Sequence, residues 1–166
     1  MKKLFYLVGL LMIANFVFVS CSSPTSDRGV VISGVRWATR NVDAIGTFAR
    51  NPENVGGFFI WYHAADACPR GWRLPTLQEW EALKGAGSVW YFRNGVGGRL
   101  FGTAPNQIFL PAAGFDGAHA NVGDVGFYWS STQELFRGPL TVYPAAAWYL
   151  RFGSGSKLVS GTDIYS

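Results

Sequence analysis

Cys21 has the setting that points most directly to chemistry. Ser20 stands just before it, Lys2 and Lys3 lie near the start, and Leu4 to Val19 is an apolar run broken only by Gly9 and Asn15. A cationic start, a short apolar run and a small residue before a Cys is the layout of a cleaved export signal. The Cys then becomes the new N-terminus, with its thiol acylated. The apolar run is 16 residues long, short for a membrane-spanning helix, which takes about 20. Phe18 stands where Leu is commoner in such signals. The alternative is an ordinary signal peptide with an incidental Cys. Cys21 is therefore the expected lipidation site, with 1–20 the signal peptide and 21–29 the lipidated Cys and a flexible tether rich in Ser, Thr and Pro. Ser22 is not an acidic retention residue, so the outer membrane is the expected destination.

Other chemistry-bearing groups are weaker. His63, Asp66 and Cys68 are the types of a nucleophilic triad, but spacings of three and five on one short segment do not converge on a point. A structural Cys beside polar turn residues accounts for them better. Asp116, His119, Asn121 and Asp124 gather in one Gly-rich loop and offer oxygen and nitrogen donors, yet a solvated loop explains them better. Two His residues in the chain make a poor zinc set. No catalytic residue, metal or cofactor is assigned, and an enzyme is not expected.

Cleavage of 20 of the 166 residues leaves 146, enough for one domain burying about 70% of its unfolded surface. Loss of Lys2 and Lys3 lowers the formal charge from +4 to +2. The arginines are scattered, so no nucleic-acid footprint is present. After acylation of Cys21, Cys68 has no partner within the chain.

The elements that must position these residues are short. Val30 to Arg36 reads as a first strand, bent at Gly34. Asn51-Pro52 and Gly56-Gly57 mark a loop. Phe58 to Tyr62 reads as a buried strand, and His63 to Cys68 as one helical turn stopped by Pro69. Thr76 with Glu79 is a capping box, and Leu77, Trp80 and Leu83 lie on one helical face ended by Gly85 and Gly87. Val89 to Phe92 leads to an Asn94-Gly95 turn. Ile108 to Leu110, Gly126 to Ser130 and Ala147 to Phe152 are strand-like. The expected class is α+β.

Several stretches together resemble a known family. Val35-Arg36-Trp37-Ala38-Thr39-Arg40-Asn41-Val42 is followed by Ala67-Cys68-Pro69-Arg70-Gly71-Trp72-Arg73-Leu74-Pro75-Thr76, with Glu79-Trp80. Phe109-Leu110-Pro111-Ala112-Ala113-Gly114 and Tyr128-Trp129-Ser130-Ser131-Thr132 come next. This order is similar to that of the Fibrobacter succinogenes major paralogous domain, found in lipoproteins and fimbrillin-like proteins of gut Bacteroidota. The likeness covers roughly Val30 to Phe152. It implies a C-type lectin-like domain over 30–166, with paired N- and C-terminal strands and two helices flanking a small twisted antiparallel sheet joined by long loops. It also implies a closing strand with a Cys that pairs at the position of Cys68. Here Asp163-Ile164-Tyr165 stands where that strand should begin, so either the last strand is missing or a shorter ending replaces it. Formylglycine-generating relatives need a later Cys pair, which this chain lacks. A lectin calcium site needs Glu-Pro-Asn or Gln-Pro-Asp with Trp-Asn-Asp, and Ala104-Pro105-Asn106 does not supply it.

The back half holds the expected ligand face. Alternation along Ala147 to Phe152 puts Trp148, Leu150 and Phe152 on one side and Tyr149 and Arg151 on the other. Tyr143, Tyr149, Arg151 and Tyr165 are the candidate binding residues, of types that suit sugars and peptides. The expected function is a membrane-anchored lipoprotein presenting a non-catalytic, lectin-like ligand-binding domain at the cell envelope. Its partners would be a glycan or protein ligand and the membrane, through the lipid anchor. The alternative is a fimbrial or cell-envelope assembly subunit.

Overall fold

The computed structural model describes residues 26–114, 122–137, 142–155 and 159–164. The chain enters through two small hairpins. β1 (Val30–Ile32) pairs antiparallel with β2 (Val35–Trp37), so Val30 lies opposite Trp37. Ser33 and Gly34 between them both take positive φ, 50° and 79°, the two-residue turn that matches strand twist. The expected single bent strand is therefore a hairpin, because Gly34 reverses the chain. β3 (Val42–Ala44) and β4 (Thr47–Phe48) form the second hairpin.

Two helices follow, of unequal weight. α1 (Trp61–Ala64) is a single turn, and it starts inside the stretch expected to be a buried strand. Ile60 and Tyr62 are exposed, which a buried strand would not allow. α2 (Leu77–Gly85) is the helix that the capping box announces. The Thr76 hydroxyl accepts from Glu79 N–H at 3.2 Å, and Thr76 N–H donates back to the Glu79 carboxylate at 2.7 Å. Trp80 and Leu83 are buried from its inner face.

Strands dominate the rest. β5 (Ser88–Arg93), β6 (Val96–Thr103) and β7 (Asn106–Pro111) make one antiparallel meander, with Asn94 and Gly95 turning β5 into β6. β8 (Val125–Arg137), β9 (Val142–Gly153) and β10 (Val159–Ile164) make a second. A parallel bridge between Gly114 and Gly126 links the end of the first meander to the start of the second. Gly126 is required by packing, since a Cβ there would meet the Phe152 ring at 2.4 Å.

The core lies where these units meet. Ile32, Trp37, Trp80, Phe101, Leu150 and Phe152 are all buried in it. Trp37 and Trp80 pack with ring centroids 5.0 Å apart, and Tyr128 stacks on Phe152 at 5.8 Å. Burying each such side chain contributes about 1.5–3 kcal/mol.

The expected α+β, C-type lectin-like arrangement is corrected. The structure is β-rich, 44% strand against 12% helix, and built of small antiparallel sheets. α1 is too short to flank anything, so two helices do not enclose one sheet. The N-terminal strand pairs with β2, and the C-terminal β10 pairs with β9 rather than with it. Stretch 159–164, for which no strand was expected, occupies that edge. The physical reason is local. Positive-φ turns at Ser33-Gly34 and Asn94-Gly95 close hairpins immediately, and each hairpin then finds its own neighbour.

Candidate functional site

The site is built on a fault in the β8–β9 ladder. Trp129 pairs with Tyr149 and Gln133 with Ala147, so Ser130, Ser131 and Thr132 bulge opposite a single residue. A bulge leaves backbone groups without ladder partners and re-aims the strand. Here two other segments take them up. Ser131 N–H donates to the Pro75 carbonyl at 2.8 Å, and the Ser130 carbonyl accepts from the Trp61 indole at 2.7 Å. The Thr132 hydroxyl accepts from Leu77 N–H at 2.9 Å, at the start of α2. The bulge thus pins α1 and α2 against β8.

On the outer face of the ladder, Phe127, Trp129, Tyr149 and Arg151 form a continuous group. Tyr149 lies 5.2 Å from Phe127 and 6.2 Å from Trp129, and the Arg151 guanidinium sits 5.5 Å over Phe127. Leu150 and Phe152 point the opposite way and are buried, as alternation requires. Facing the group is the segment that leads into α1. The Trp129 indole donates to the Phe59 carbonyl at 3.0 Å, which ties the two walls together.

Between them runs a cleft of about 1070 Å³, lined by Phe59, Trp61, Trp72, Phe127, Trp129 and Tyr149 among others. The volume suits a small or extended ligand. The indoles of Trp61, Trp80 and Trp129 each donate to a backbone carbonyl. Their ring planes are therefore set before any ligand arrives, which lowers the ordering cost of stacking on them. Beneath, the Tyr128 hydroxyl donates to Pro111 O at 2.7 Å and accepts from Asn41 at 3.2 Å. Burial pushes that phenol far above its usual range, so it is a fixed neutral strut.

Charge in the cleft is paired or peripheral. Arg73 forks onto Glu79 at 2.6 and 2.8 Å and, with the Thr76 N–H, holds the Glu79 carboxyl down at about 2. The Trp37 indole N–H is buried with no hydrogen-bond partner among the described residues. Cys68 is half-buried, its Sγ 3.6 Å from the Ala64 carbonyl, and burial raises its pKa. A thiol held protonated is a poor nucleophile. His63 and Asp66 are exposed, while Cys68 is half-buried with its thiol toward the Ala64 carbonyl. Among the described residues no three His, Cys, Asp or Glu side chains come together to hold a metal. Asp116, His119 and Asn121 lie outside those residues.

Of the four candidate binding residues, the structure brings Tyr149 and Arg151 together on the outer face of β9, and Tyr149 lines the cleft. Tyr143 pairs through its backbone with Phe136, and its side chain lies outside the described residues, as do Tyr165 and Cys21. The opposite wall, Phe58 to Trp61, went unread as a site because an apolar run resembles a buried strand. The usable signal was Gly56-Gly57 just before it, which allows the chain to hug Val42 and Asp43. Compared with protein-family models, curated proteins and solved structures, the chain matches none. No helix among the described residues is long and apolar enough to cross a membrane.

Proposed function

We propose that this protein is a cell-envelope lipoprotein, anchored in the outer membrane through acylated Cys21, whose aromatic cleft binds a glycan or protein ligand without catalysis. One observation carries the binding reading. The Trp129–Tyr149 cross-strand pair faces the Phe58–Trp61 segment across an open cleft, with indole orientations held by backbone carbonyls. Flat, pre-oriented aromatic faces suit the apolar faces of sugars and the side chains of peptides. The ordered sequence blocks remain the basis for proposing kinship with the Fibrobacter succinogenes major paralogous domain. The test is a glycan and protein array probed with the wild-type domain and with Tyr149→Ala. Stacking on one aromatic is typically worth about 1–3 kcal/mol, so a true ligand should bind at least about fivefold more weakly to the variant. Undiminished binding to Tyr149→Ala would place the ligand elsewhere.

The second reading, an assembly subunit, is favoured by a different feature. Among the described residues β5 has a strand neighbour on one side only, and its Val89, Tyr91 and Phe92 are 59%, 48% and 64% exposed. An apolar strand edge of this kind accepts a strand from another chain. Sedimentation separates the two readings, since a subunit purifies as oligomers and a binder as a monomer.

A further inference from the structure

Residues 26–29 were expected to belong to the flexible tether, and the structure docks them. The Asp27 side chain is 2% exposed and pairs with Arg40 at 3.3 Å. It also accepts from Gly29 N–H at 2.7 Å and from the N–H and hydroxyl of Thr39 at 3.1 and 2.8 Å. Arg40 completes the clamp by donating to the carbonyls of Ala49 and Ser26. Gly29 is pressed so closely on Trp72 and the Arg36 stem that a Cβ would come within 2.7 and 2.8 Å of them. Breaking one partner of such an enclosed pair strands a charge, so Ser26 moves with the domain.

Five residue steps separate Cys21 from Ser26, a reach of at most about 17 Å. We propose that this clamp decides which face of the domain meets the bilayer: the face around Ser26, with its exposed arginines, lies against anionic lipid headgroups. The inference rests on acylation of Cys21. Arg28, Arg36 and Arg50 are exposed in stretch 26–50, against one exposed acid, Asp43. Arg36 donates to the Arg28 carbonyl at 3.1 Å, and Arg50 follows Ala49, whose carbonyl Arg40 holds. Arg28 and Arg50 thus adjoin clamp residues in the chain, and Arg36 is hydrogen-bonded to Arg28. Arginines held near an anionic leaflet are attracted to it within a Debye length, and a short leash keeps them there. Trp72 and Arg36 also line the cleft, so that end of the cleft lies on the membrane side.

The test uses the full acylated chain carrying Cys68→Ser and Asn51→Cys, with a fluorophore on position 51, beside the clamp. It is reconstituted in phosphatidylcholine vesicles containing phosphatidylglycerol and a lipid with a nitroxide headgroup. Strong quenching is expected. Inserting about 20 Gly/Ser residues between Ser23 and Pro24, a flexible coil, together with Arg28→Gln and Arg50→Gln, should reduce it severalfold. Each arginine alone should weaken apposition about fivefold, and only when phosphatidylglycerol is present. A separate arm tests the anchor. Cys21→Ser should leave the membrane fraction, and if it does not, the anchor reading fails and takes the orientation with it. If Cys21→Ser is released, yet the acylated chain shows no quenching or quenching insensitive to these changes, the anchor stands and the face assignment is overturned.

Discussion

The two three-stranded meanders share a topology and differ in how they treat their aromatics. In β5–β6–β7 the register is continuous from Ser88 opposite Phe101 to Arg93 opposite Val96, and Tyr91 and Phe92 remain exposed. In β8–β9–β10 the register breaks after Trp129, and Phe127, Trp129 and Tyr149 are half-buried beneath another segment. Between paired strands an unbroken ladder satisfies its own backbone, so its face offers no hydrogen-bonding group to a neighbouring loop. The broken ladder frees backbone groups at Ser130 and Ser131, which recruit Trp61 and Pro75, and the Thr132 hydroxyl beside them takes the Leu77 N–H. A sheet face becomes one wall of a cleft through unpaired hydrogen-bonding groups, not through more apolar residues.

That contrast can be broken most severely from below. Trp80 supports the cleft floor, packs on Trp37 and donates to the Trp129 carbonyl. Trp80→Ala should cost about 3–5 kcal/mol, seen as a collapse of the denaturant midpoint. A folded variant of near wild-type stability would mean that the two halves do not depend on this joint.

Next in size is Trp129→Ala, which removes a half-buried ring and its bond to Phe59. A loss of about 1–3 kcal/mol in urea unfolding is expected, with ligand affinity falling further than stability. Phe92→Ala in the other meander should change stability by less than about 0.5 kcal/mol. Equal losses from the two would erase the distinction between covered and bare sheet faces.

Acid provides a milder probe of the joint at α2. The Glu79 carboxyl is held at about 2, below its ordinary 4.5, first by Arg73. Because the folded value is the lower one, its contribution is complete above about 4.5 and disappears as pH falls toward 2. Thermal melts should therefore lose stability over that window. Glu79→Gln should start lower by about 1 kcal/mol, the usual worth of a helix cap, and show a flatter acid limb. An identical acid limb in the variant would assign the loss to other carboxylates. The smallest expected effect is on association. Phe92→Ser should leave the melt unchanged and reduce any self-association measured by sedimentation, as an exposed strand edge predicts.

Local signals carried part of this structure reliably. Thr76 and Glu79 announced α2, Asn94-Gly95 announced a hairpin, and alternation separated Leu150 and Phe152 from Tyr149 and Arg151. Each depends on neighbours within a few residues, where capping bonds, positive-φ turns and pleat period act. The layout from Lys2 to Cys21 is of the same kind, and it supports the anchor as a proposal. Tertiary structure alone decided that Phe58 to Trp61 faces Trp129 and that Asp27 is locked to Arg40. Those outcomes join residues 13 to 70 positions apart. No local propensity encodes such contacts. They form because a bulge leaves backbone donors and acceptors unpaired, and because a buried carboxylate must find its cation.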